Sequence, residues 1–367
     1  MGAPTNKPPI VPYENPAGTE GLAFVEFSTE NPEELSSVFK RLGFEKVGRH
    51  VNLEISLWRQ GEIEFLINSD LNTHGGLFAQ CHGPCVSALA FRVSDAAHAL
   101  NRALSFGAVS YRFDRGVPTV SSPPLEGIGG SLLYLTDRKT SASIAQEFLP
   151  SDAASRAAVV GAGFKVVDHL THNVVAGGVD HWANFYKSIF NFREVFYLDA
   201  RGAKTGFRTR AMMSPCGNIC IPVNEPTDPK SQIQEYIDSY KGEGVQHIAL
   251  RSDDVITSVE SILRNGIDCM PIPDSYYDAI DARLPGHGQD VARLRRNGIL
   301  LDGERELPAT EWALLLQLFT KNLCGPIFFE CIERRGNEGF GEGNARALFE
   351  AIERDQIARG VVTVDRG

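Results

Sequence analysis

The stretch VVDHLTHNV, residues 166–174, places two histidines three positions apart in a segment whose composition is typical of a β-strand. Side chains on a strand point alternately to its two faces, so His169 and His172 should face opposite sides of the sheet. At most one of the two can therefore belong to a site on a given face. Internal repeats in the chain indicate which one.

Four stretches share the order of a strand, a polar turn, an amphipathic helix, and a glycine or asparagine. Short alternating segments broken by Gly, Pro and Asn follow each helix, which is the pattern of a β-meander. The sequence therefore predicts an α+β fold built from four βαβββ modules. The modules begin at Gly21, Val86, Val166 and Val245.

Pairs of such modules can join their sheets into an open barrel that encloses a cavity. The Ala/Gly/Ser-rich segment 151–163, SDAASRAAVVGAG, has the composition of a linker between two pairs. We therefore predict an N-terminal domain over residues 1–155 and a C-terminal catalytic domain over residues 156–367.

Aligning VDHLTH (167–172) with VQHIAL (245–250) superposes His169 on His247 and leaves His172 opposite an apolar residue. A twofold relation between the two modules would bring His169 and His247 to equivalent positions in one cavity. His172 would then lie on the other face of the sheet, with a structural role.

The N-terminal modules provide an internal comparison for these two histidines. Their corresponding positions are expected to be Leu22 and Ala88, neither of which can bind a metal. The chain should therefore hold one site, in its C-terminal half, while the N-terminal half acts as a structural domain.

A third ligand is predicted in the segment GPIFFECIERRG, residues 325–336, where Glu330 interrupts an apolar strand. A buried carboxylate among Phe and Ile is costly unless it is paired or bound to a metal. Two imidazoles and one carboxylate form the ligand set of non-haem Fe(II) oxygenases, which leaves three positions open. Glu333 should lie on the opposite face, in solvent beside Arg334 and Arg335.

The bulk composition excludes several other functions. The formal net charge of −10 argues against a nucleic-acid partner, and no apolar run approaches the length needed to cross a membrane. Seven cysteines, an odd number, favour a reducing, cytoplasmic setting with unpaired thiols over a disulfide framework. Hydrophobic content of 43% is typical of a globular protein.

A set of motifs in a fixed order resembles one enzyme family. The motifs are DHLTHNV, WANFYKSIFNFREV, IPVNE, GEGVQHIAL, GILLDG, LLLQLF, GPIFFE and GFGEGN followed by ALFEAIERDQ. Together they resemble the 4-hydroxyphenylpyruvate dioxygenases of the vicinal oxygen chelate superfamily. The resemblance implies the fold of that superfamily, and it selects the same ligands, His169, His247 and Glu330, for one Fe(II) per chain.

The resemblance also implies a reaction and a set of pocket residues. An arylpyruvate and O2 would be the substrates, homogentisate and CO2 the products, and no 2-oxoglutarate would be required. A helix after GFGEGN would close the pocket as a lid. Catalytic residues carried over by motif are Gln232, Gln246, Gln317 and Asn224, and substrate-binding residues are Thr209, Pro222, Phe340, Asn344 and Ala345. Because adjacent residues of a regular strand face opposite sides, Gln246 is expected to point away from His247.

Two residues depart from the family pattern. Thr209 stands where the family usually has Ser, which keeps the hydroxyl, and Ala345 stands where a second pocket-lining Phe is usual. Ala345 leaves room for a larger ring or a different hydroxylation position. One alternative is therefore a sister activity, benzylic hydroxylation by a hydroxymandelate synthase. Two others rest on the fold, which also serves zinc or nickel lyases of the glyoxalase type and metal-free binding proteins. The resemblance further implies a homodimer or homotetramer in the cytoplasm.

Overall fold

The described part of the chain contains two eight-stranded β-sheets, one in each half. Each half is built from two strand–helix–three-strand modules, with further helices inserted between strands. The predicted fold class of four βαβββ modules is therefore confirmed. The computed structural model describes residues 13–113, 116–151, 159–199, 206–305 and 311–344.

The sheet of the N-terminal half has the strand order β6-β7-β5-β1-β4-β3-β2-β8. These strands are β1 (Thr19–Ser28), β2 (Glu45–His50), β3 (Ile55–Gln60), β4 (Ile63–Asn68), β5 (Cys85–Val93), β6 (Leu125–Glu126), β7 (Leu132–Thr136) and β8 (Phe148–Pro150). The helices are α1 (Pro32–Arg41), α2 (His74–His82), α3 (Ala96–Ser105) and α4 (Arg138–Gln146), with a 3₁₀ turn at Ile128–Gly130.

The sheet of the C-terminal half has the order β10-β11-β12-β9-β13-β16-β15-β14. Its strands are β9 (Phe164–Asn173), β10 (Arg193–Asp199), β11 (Phe207–Met213), β12 (Cys220–Pro226), β13 (Gly244–Ser252), β14 (Leu300–Glu304), β15 (Ala313–Phe319) and β16 (Phe328–Arg335). Its helices are α5 (Gly178–Phe190), α6 (Gln232–Tyr240), α7 (Val255–Arg264), α8 (Asp274–Asp278), α9 (Ile280–Arg283) and α10 (Val291–Asn297).

Helix α1 shows how local sequence sets these elements. Asn31 caps its first turn by accepting a hydrogen bond from the Glu34 backbone N–H, and Pro32 occupies the first helical position, where no N–H is needed. The apolar residues at three- and four-residue spacing form its buried face. That face, which packs into the core, consists of Leu35, Val38 and Phe39.

The two halves share one hydrophobic core. The ring of Phe27, on β1, lies 6.1 Å from that of Phe329, on β16. The buried Oε1 of Gln60 accepts hydrogen bonds from the backbone N–H groups of Ala162 at 2.6 Å and Phe164 at 3.3 Å. The N-terminal half therefore fixes the point at which β9, the strand that carries His169, begins.

The central strand pairs of the two halves have the same register irregularities. Strands β1 and β5 pair antiparallel with three register shifts, and strands β9 and β13 pair antiparallel with three shifts at corresponding points. The β9–β13 pairing also relates His169 to His247 by a local twofold, since His169 lies opposite Ala249 and His247 lies opposite Thr171. The repeat alignment that equated these two histidines is therefore correct.

The same registers correct the N-terminal comparison. The position equivalent to His169 is Phe24, not Leu22. Leu22 corresponds to Val167, since the bulge lies at the same point in both strands, and the expected N-terminal position was therefore two residues out of register. Ala88 does occupy the position equivalent to His247, as expected. Tyr134 on β7 corresponds to Glu330 on β16, so the three ligand positions of the N-terminal sheet hold Phe, Ala and Tyr.

Several sequence predictions bear on parts that the structure leaves undescribed or untested. The predicted lid helix, residues 345–360, lies outside the described residues, and so does part of the linker, residues 152–158. The division into domains 1–155 and 156–367 stays a prediction, although the two sheets fall on either side of it. All seven cysteines are unpaired. Within the described ranges, no helix is long and apolar enough to cross a bilayer.

A buried carboxylate, Glu26, lies in the N-terminal sheet next to the equivalent of the ligand positions. Its Oε1 accepts hydrogen bonds at 2.9 Å from both Asn68 Nδ2 and Ser87 Oγ, whereas its Oε2 has no partner among the described residues. A Cβ on Gly75 would lie 2.4 Å from Oε1, so the backbone at the start of α2 approaches the carboxylate closely. Burial raises the pKa of Glu26, and the hydrogen bonds offset only part of that shift.

This raised pKa predicts a specific dependence of stability on pH. The unfolded chain releases the Glu26 proton near pH 4.5, but the folded protein retains it to higher pH, so this group makes folding less favourable as pH rises through that window. We expect Glu26→Gln to gain stability relative to the wild type, by up to about 1.4 kcal/mol per pH unit above 4.5. Urea unfolding between pH 5 and pH 8 measures the difference.

Glu20→Gln, which neutralises an exposed carboxylate on the same strand, controls for the loss of one charge. A stability difference between Glu26→Gln and the wild type that stays constant with pH would contradict a protonated Glu26.

Candidate metal centre

Three side chains on adjacent strands converge at the centre of the C-terminal sheet: His169 on β9, His247 on β13 and Glu330 on β16. Their ligand atoms all lie within 4.8 Å of one another. Glu330 Oε2 lies 3.2 Å from His169 Nε2 and 3.6 Å from His247 Nε2. Two ligands at right angles, each about 2.1 Å from one ion, lie about 3 Å apart. The spacing and the donor set therefore fit one metal ion.

This cluster stands alone in the described part of the chain. No other group of three or more His, Cys, Asp and Glu side chains converges in this way among residues 13–113, 116–151, 159–199, 206–305 and 311–344. Its carboxylate is 2% exposed, and water therefore competes little with the imidazoles for it. An unpaired carboxylate so deeply buried would be costly, and a cation relieves that cost.

A β-bulge precedes each metal-ligand histidine. Asp168 is the extra residue between Val167 and His169 on β9, and Gln246 is the extra residue between Val245 and His247 on β13. A bulge breaks the alternation of side chains and re-aims the extra residue. Gln246 was expected to point away from His247. That expectation is wrong, because its Oε1 lies 3.1 Å from His247 Nδ1.

Both imidazoles are held through the nitrogen that faces away from Glu330. Asp168 Oδ1 lies 2.9 Å from His169 Nδ1 and, as an acceptor, requires that nitrogen to carry the proton. The Gln246 oxygen acts in the same way on His247. In the neutral form of each ring, Nε2 then carries the lone pair and is aimed at the centre of the cluster. The Thr171 hydroxyl also lies 3.0 Å from His247 Nε2.

Glu330 is oriented by a chain of amides. Gln317 Nε2 donates to Glu330 Oε1 at 2.9 Å, and Asn344 Nδ2 donates to Gln317 Oε1 at 2.8 Å. Tyr276 donates its hydroxyl proton to Asn344 Oδ1 at 2.6 Å. Gln317, Asn344 and Tyr276 are all buried. Their hydrogen bonds therefore orient Glu330 so that its Oε2 faces the two imidazoles.

Aromatic rings border the cluster. The Phe340 ring lies edge-on to the His169 ring, with centroids 5.9 Å apart, and 5.6 Å from the Phe196 ring. The Phe328 ring stacks on His247 at 4.7 Å. The centre therefore has apolar walls beside its polar donors, as a site for an aromatic ligand requires.

His172 lies on the other face of the sheet, as expected from strand alternation. It is fully buried, its Nε2 lies 2.9 Å from the Tyr186 hydroxyl, and burial lowers its pKa to about 3. Glu333 also lies away from the cluster, but the expectation of a solvated side chain is wrong. Glu333 is buried and accepts a hydrogen bond from the Val255 backbone N–H at the start of α7.

The remaining residues predicted to line the pocket differ in where they lie. Thr209 on β11 lies opposite Asn224 on β12, and Asn224 donates to Asn173 at 3.3 Å. Pro222 is buried in β12. Gln232 is exposed at the first position of α6, and no described hydrogen bond joins it to the ligands. Ala345 lies outside the described residues.

Burial and neighbouring charges shift the pKa values of the side chains in and behind the cluster. Burial alone would lower the pKa of His169, but Glu330 and Asp168 outweigh it and raise that pKa to about 9. Burial and the neighbouring His169 hold the pKa of His247 well below its usual range. Burial opposes ionisation of Asp168, but hydrogen bonds from His169 and Arg334 overcome it and lower that pKa.

Comparisons with known proteins identify the family. Residues 13–147 match the family model "Hydroxyphenylpyruvate dioxygenase, HPPD, N-terminal". Residues 166–279 match that of the "Glyoxalase/Bleomycin resistance protein/Dioxygenase superfamily". The chain is 44% identical to 4-hydroxyphenylpyruvate dioxygenase from Pseudomonas sp. (strain P.J. 874), over 96% of this chain and 99% of that protein. The chain belongs to the 4-hydroxyphenylpyruvate dioxygenase family.

Two further relatives span nearly the full length. Hemolysin VllY of Vibrio vulnificus (strain CMCP6) is 50% identical over 95% of this chain and 98% of its own. A mutant of 4-hydroxymandelate synthase from Streptomyces coelicolor superposes with a TM-score of 0.76 at 23% identity, covering 92% of this chain and 99% of the other. The structural likeness shows the fold alone. As a member of the 4-hydroxyphenylpyruvate dioxygenase family, the protein is an oxygenase of that type, and the three-residue cluster is its candidate metal site.

Sequence reasoning missed the residues that support the ligands. Asp168 adjoins His169, Arg334 lies four residues after Glu330 on β16, and Tyr276 lies far from the ligands in sequence. One signal for Asp168 was available, since the alignment of VDH with VQH pairs it with Gln246. Without knowledge of the bulge at Gln246, strand alternation placed that side chain on the wrong face.

We expect His169→Ala to abolish tight binding of one divalent ion, because it removes one of three ligands. His172→Ala should retain that binding, since its imidazole faces Tyr186 on the other side of the sheet. Equilibrium dialysis of the metal-free protein against Fe(II) under argon measures both variants. Retained binding in His169→Ala with loss in His172→Ala would reverse the assignment.

Proposed function

We propose that the protein converts 4-hydroxyphenylpyruvate, or a close arylpyruvate, and O2 to homogentisate and CO2, using one Fe(II) held by His169, His247 and Glu330. Family membership supports the reaction class. The observation that carries the proposal is the buried cluster of only three protein ligands, because an octahedral ion held there keeps three positions for substrate and O2. The reaction belongs to tyrosine and phenylalanine catabolism.

Charge supports a 2-oxo acid as the substrate. Two neutral imidazoles and one carboxylate leave a divalent ion with one net positive charge, which a substrate carboxylate can neutralise. The groups that support Glu330, Gln317 and Asn344, are uncharged amides, which suit the keto and phenol oxygens of an arylpyruvate. A 2-oxo acid within the substrate also removes any need for 2-oxoglutarate.

When bound, Fe(II) would supply the redox chemistry with O2. The side chains of the protein position and shield the reactants. Asp168 and Gln246 hold both imidazoles with Nε2 inward, and Gln317 holds Glu330. Phe340, packed against Phe196, offers an aromatic face on which the substrate ring can be positioned, and positioning alone accounts for large factors in rate.

The proposal extends to the whole protein. The N-terminal sheet, with Phe24, Ala88 and Tyr134 at its ligand positions, acts as a structural domain that anchors β9. The unpaired cysteines support a cytoplasmic location. Family resemblance supports assembly as a dimer or tetramer.

A second candidate is benzylic hydroxylation of the same substrate, which yields 4-hydroxymandelate and CO2. The observation that favours it is Ala345, which replaces a usual pocket-lining Phe and leaves the ring less constrained. The IPVNE motif, with Pro222 and Asn224, favours the dioxygenase. A metal-free binding protein and a glyoxalase-type lyase fit less well, since the former needs no ligand cluster and the latter usually has more than one carboxylate.

Turnover of 4-hydroxyphenylpyruvate should consume one O2 and release one CO2 per molecule without added 2-oxoglutarate, and homogentisate should be the aromatic product. Anaerobic loading with Fe(II), addition of substrate and O2, and chromatography of the product measure all three. The His169→Ala variant serves as the inactive control.

A requirement for 2-oxoglutarate would refute the proposed chemistry. Recovery of 4-hydroxymandelate in place of homogentisate would establish the second candidate, and Ala345→Phe would then be expected to shift the product ratio toward homogentisate.

A further inference from the structure

The carboxylate behind His169 is itself held by an arginine. Arg334 Nε donates to Asp168 Oδ2 at 2.9 Å, and its Nη2 donates to Oδ1 at 2.8 Å, which forms a bidentate pair. Both side chains are buried, at 6% exposure for Asp168 and 8% for Arg334. Strand β13 separates the strands that carry them, so the pair crosses over it at one end of the site.

The same guanidinium also holds the segment that carries Phe340. Its Nη1 donates to the backbone carbonyl of Gly339 at 2.7 Å and to that of Asn337 at 3.2 Å. The guanidinium carbon lies 5.8 Å from the centroid of the Phe340 ring, which faces the His169 imidazole. One side chain therefore contacts both the support of a metal ligand and the aromatic wall of the site.

We propose that Asp168 and Arg334 are positioning residues that fix the His169 imidazole and the Phe340 wall relative to each other. Asp168 acts on the metal through the His169 tautomer and ring orientation. Arg334 acts through Asp168 on the metal ligand and through Gly339 on the substrate wall. The inference rests on the proposed metal site at His169, and it adds a link between metal affinity and substrate positioning.

The geometry distinguishes this pair from an ordinary surface ion pair. A carboxylate that accepts the Nδ1 proton of a ligand imidazole makes the ring a stronger donor, and loss of such a partner typically costs about 10- to 100-fold in metal affinity or activity. The bulge at Asp168 serves this contact, because a regular strand would turn the carboxylate to the opposite face. The equivalent bulge residue in the N-terminal sheet is Ala23, where no ligand needs support.

We expect the site to tolerate a neutral replacement of the pair. Asp168, Arg334 and Phe340 line a cavity of about 210 Å³ between the two halves, together with Glu62 and Arg92. Water in this cavity can reach polar atoms that lose a partner. Arg335 offers a matched control, since it neighbours Arg334 in sequence but pairs with Glu333 and with Gln289 at 2.8 Å.

The test uses the full-length metal-free protein and Co(II) as an air-stable probe, with binding followed by visible absorption. We expect Asp168→Asn to raise the Co(II) dissociation constant by about 10- to 100-fold. Arg334→Gln should raise that constant and also raise KM for 4-hydroxyphenylpyruvate at saturating Fe(II), because it loosens the Phe340 segment as well. Arg335→Gln should change neither quantity.

If the pair had a purely structural role, its substitution would instead lower the melting temperature of the metal-free protein. Each single variant leaves one buried charge unpaired, so the neutral double variant Asp168→Asn/Arg334→Gln is measured alongside. We expect the double variant to have a melting temperature near that of the metal-free wild type and to show the weakened Co(II) binding. A double variant that does not fold, or one that binds Co(II) as tightly as the wild type, overturns the proposal.

Co(II) binding by the wild type distinguishes a failure of this inference from a failure of the proposed function. If the wild type and Arg335→Gln bind one Co(II) while the Asp168 and Arg334 variants bind it equally well, the inference fails and the metal site stands. If the wild type binds no Co(II), the metal site itself fails, and the inference fails with it.

Discussion

The hydrogen bond between a bulge residue and the Nδ1 of the histidine that follows it is the constraint on which the site depends. It occurs twice, at Asp168–His169 and at Gln246–His247, related by the local twofold of strands β9 and β13. In each case the bulge leaves one residue unpaired between the strands, and the side chain of that residue places an acceptor next to Nδ1 of the imidazole. Both rings then present Nε2 to Glu330.

The N-terminal sheet shows that the same backbone arrangement can occur without metal-binding residues. Its central strands have the same three register shifts, yet Ala23 and Ser87 occupy the bulge positions. Ser87 donates to the buried Glu26, and Phe24 packs 6.0 Å from Tyr134 where a ligand would otherwise face a carboxylate. The repeated module therefore supplies a scaffold, and only the C-terminal copy combines its bulges with acceptors, imidazoles and a carboxylate.

The sequence predicted the module order and the convergence of His169, His247 and Glu330, because repeats and alternation report which face of a strand a residue occupies. It did not predict the contact of Gln246 with His247, because a bulge changes the phase of alternation without a signature in one sequence. Leu22 was named in place of Phe24 because the first module was aligned two residues out of register. Glu333 was misplaced for another reason. Its burial depends on the start of α7, which packs against it from a distant part of the chain.

The most direct test of this account is anomalous diffraction at the iron absorption edge from crystals grown anaerobically with Fe(II). The account predicts one iron peak per chain, within ligand distance of His169 Nε2, His247 Nε2 and Glu330 Oε2. Asp168 and Gln246 should still accept hydrogen bonds from the two Nδ1 atoms. An iron peak beside His172, or ligation through Nδ1 of either histidine, would contradict it.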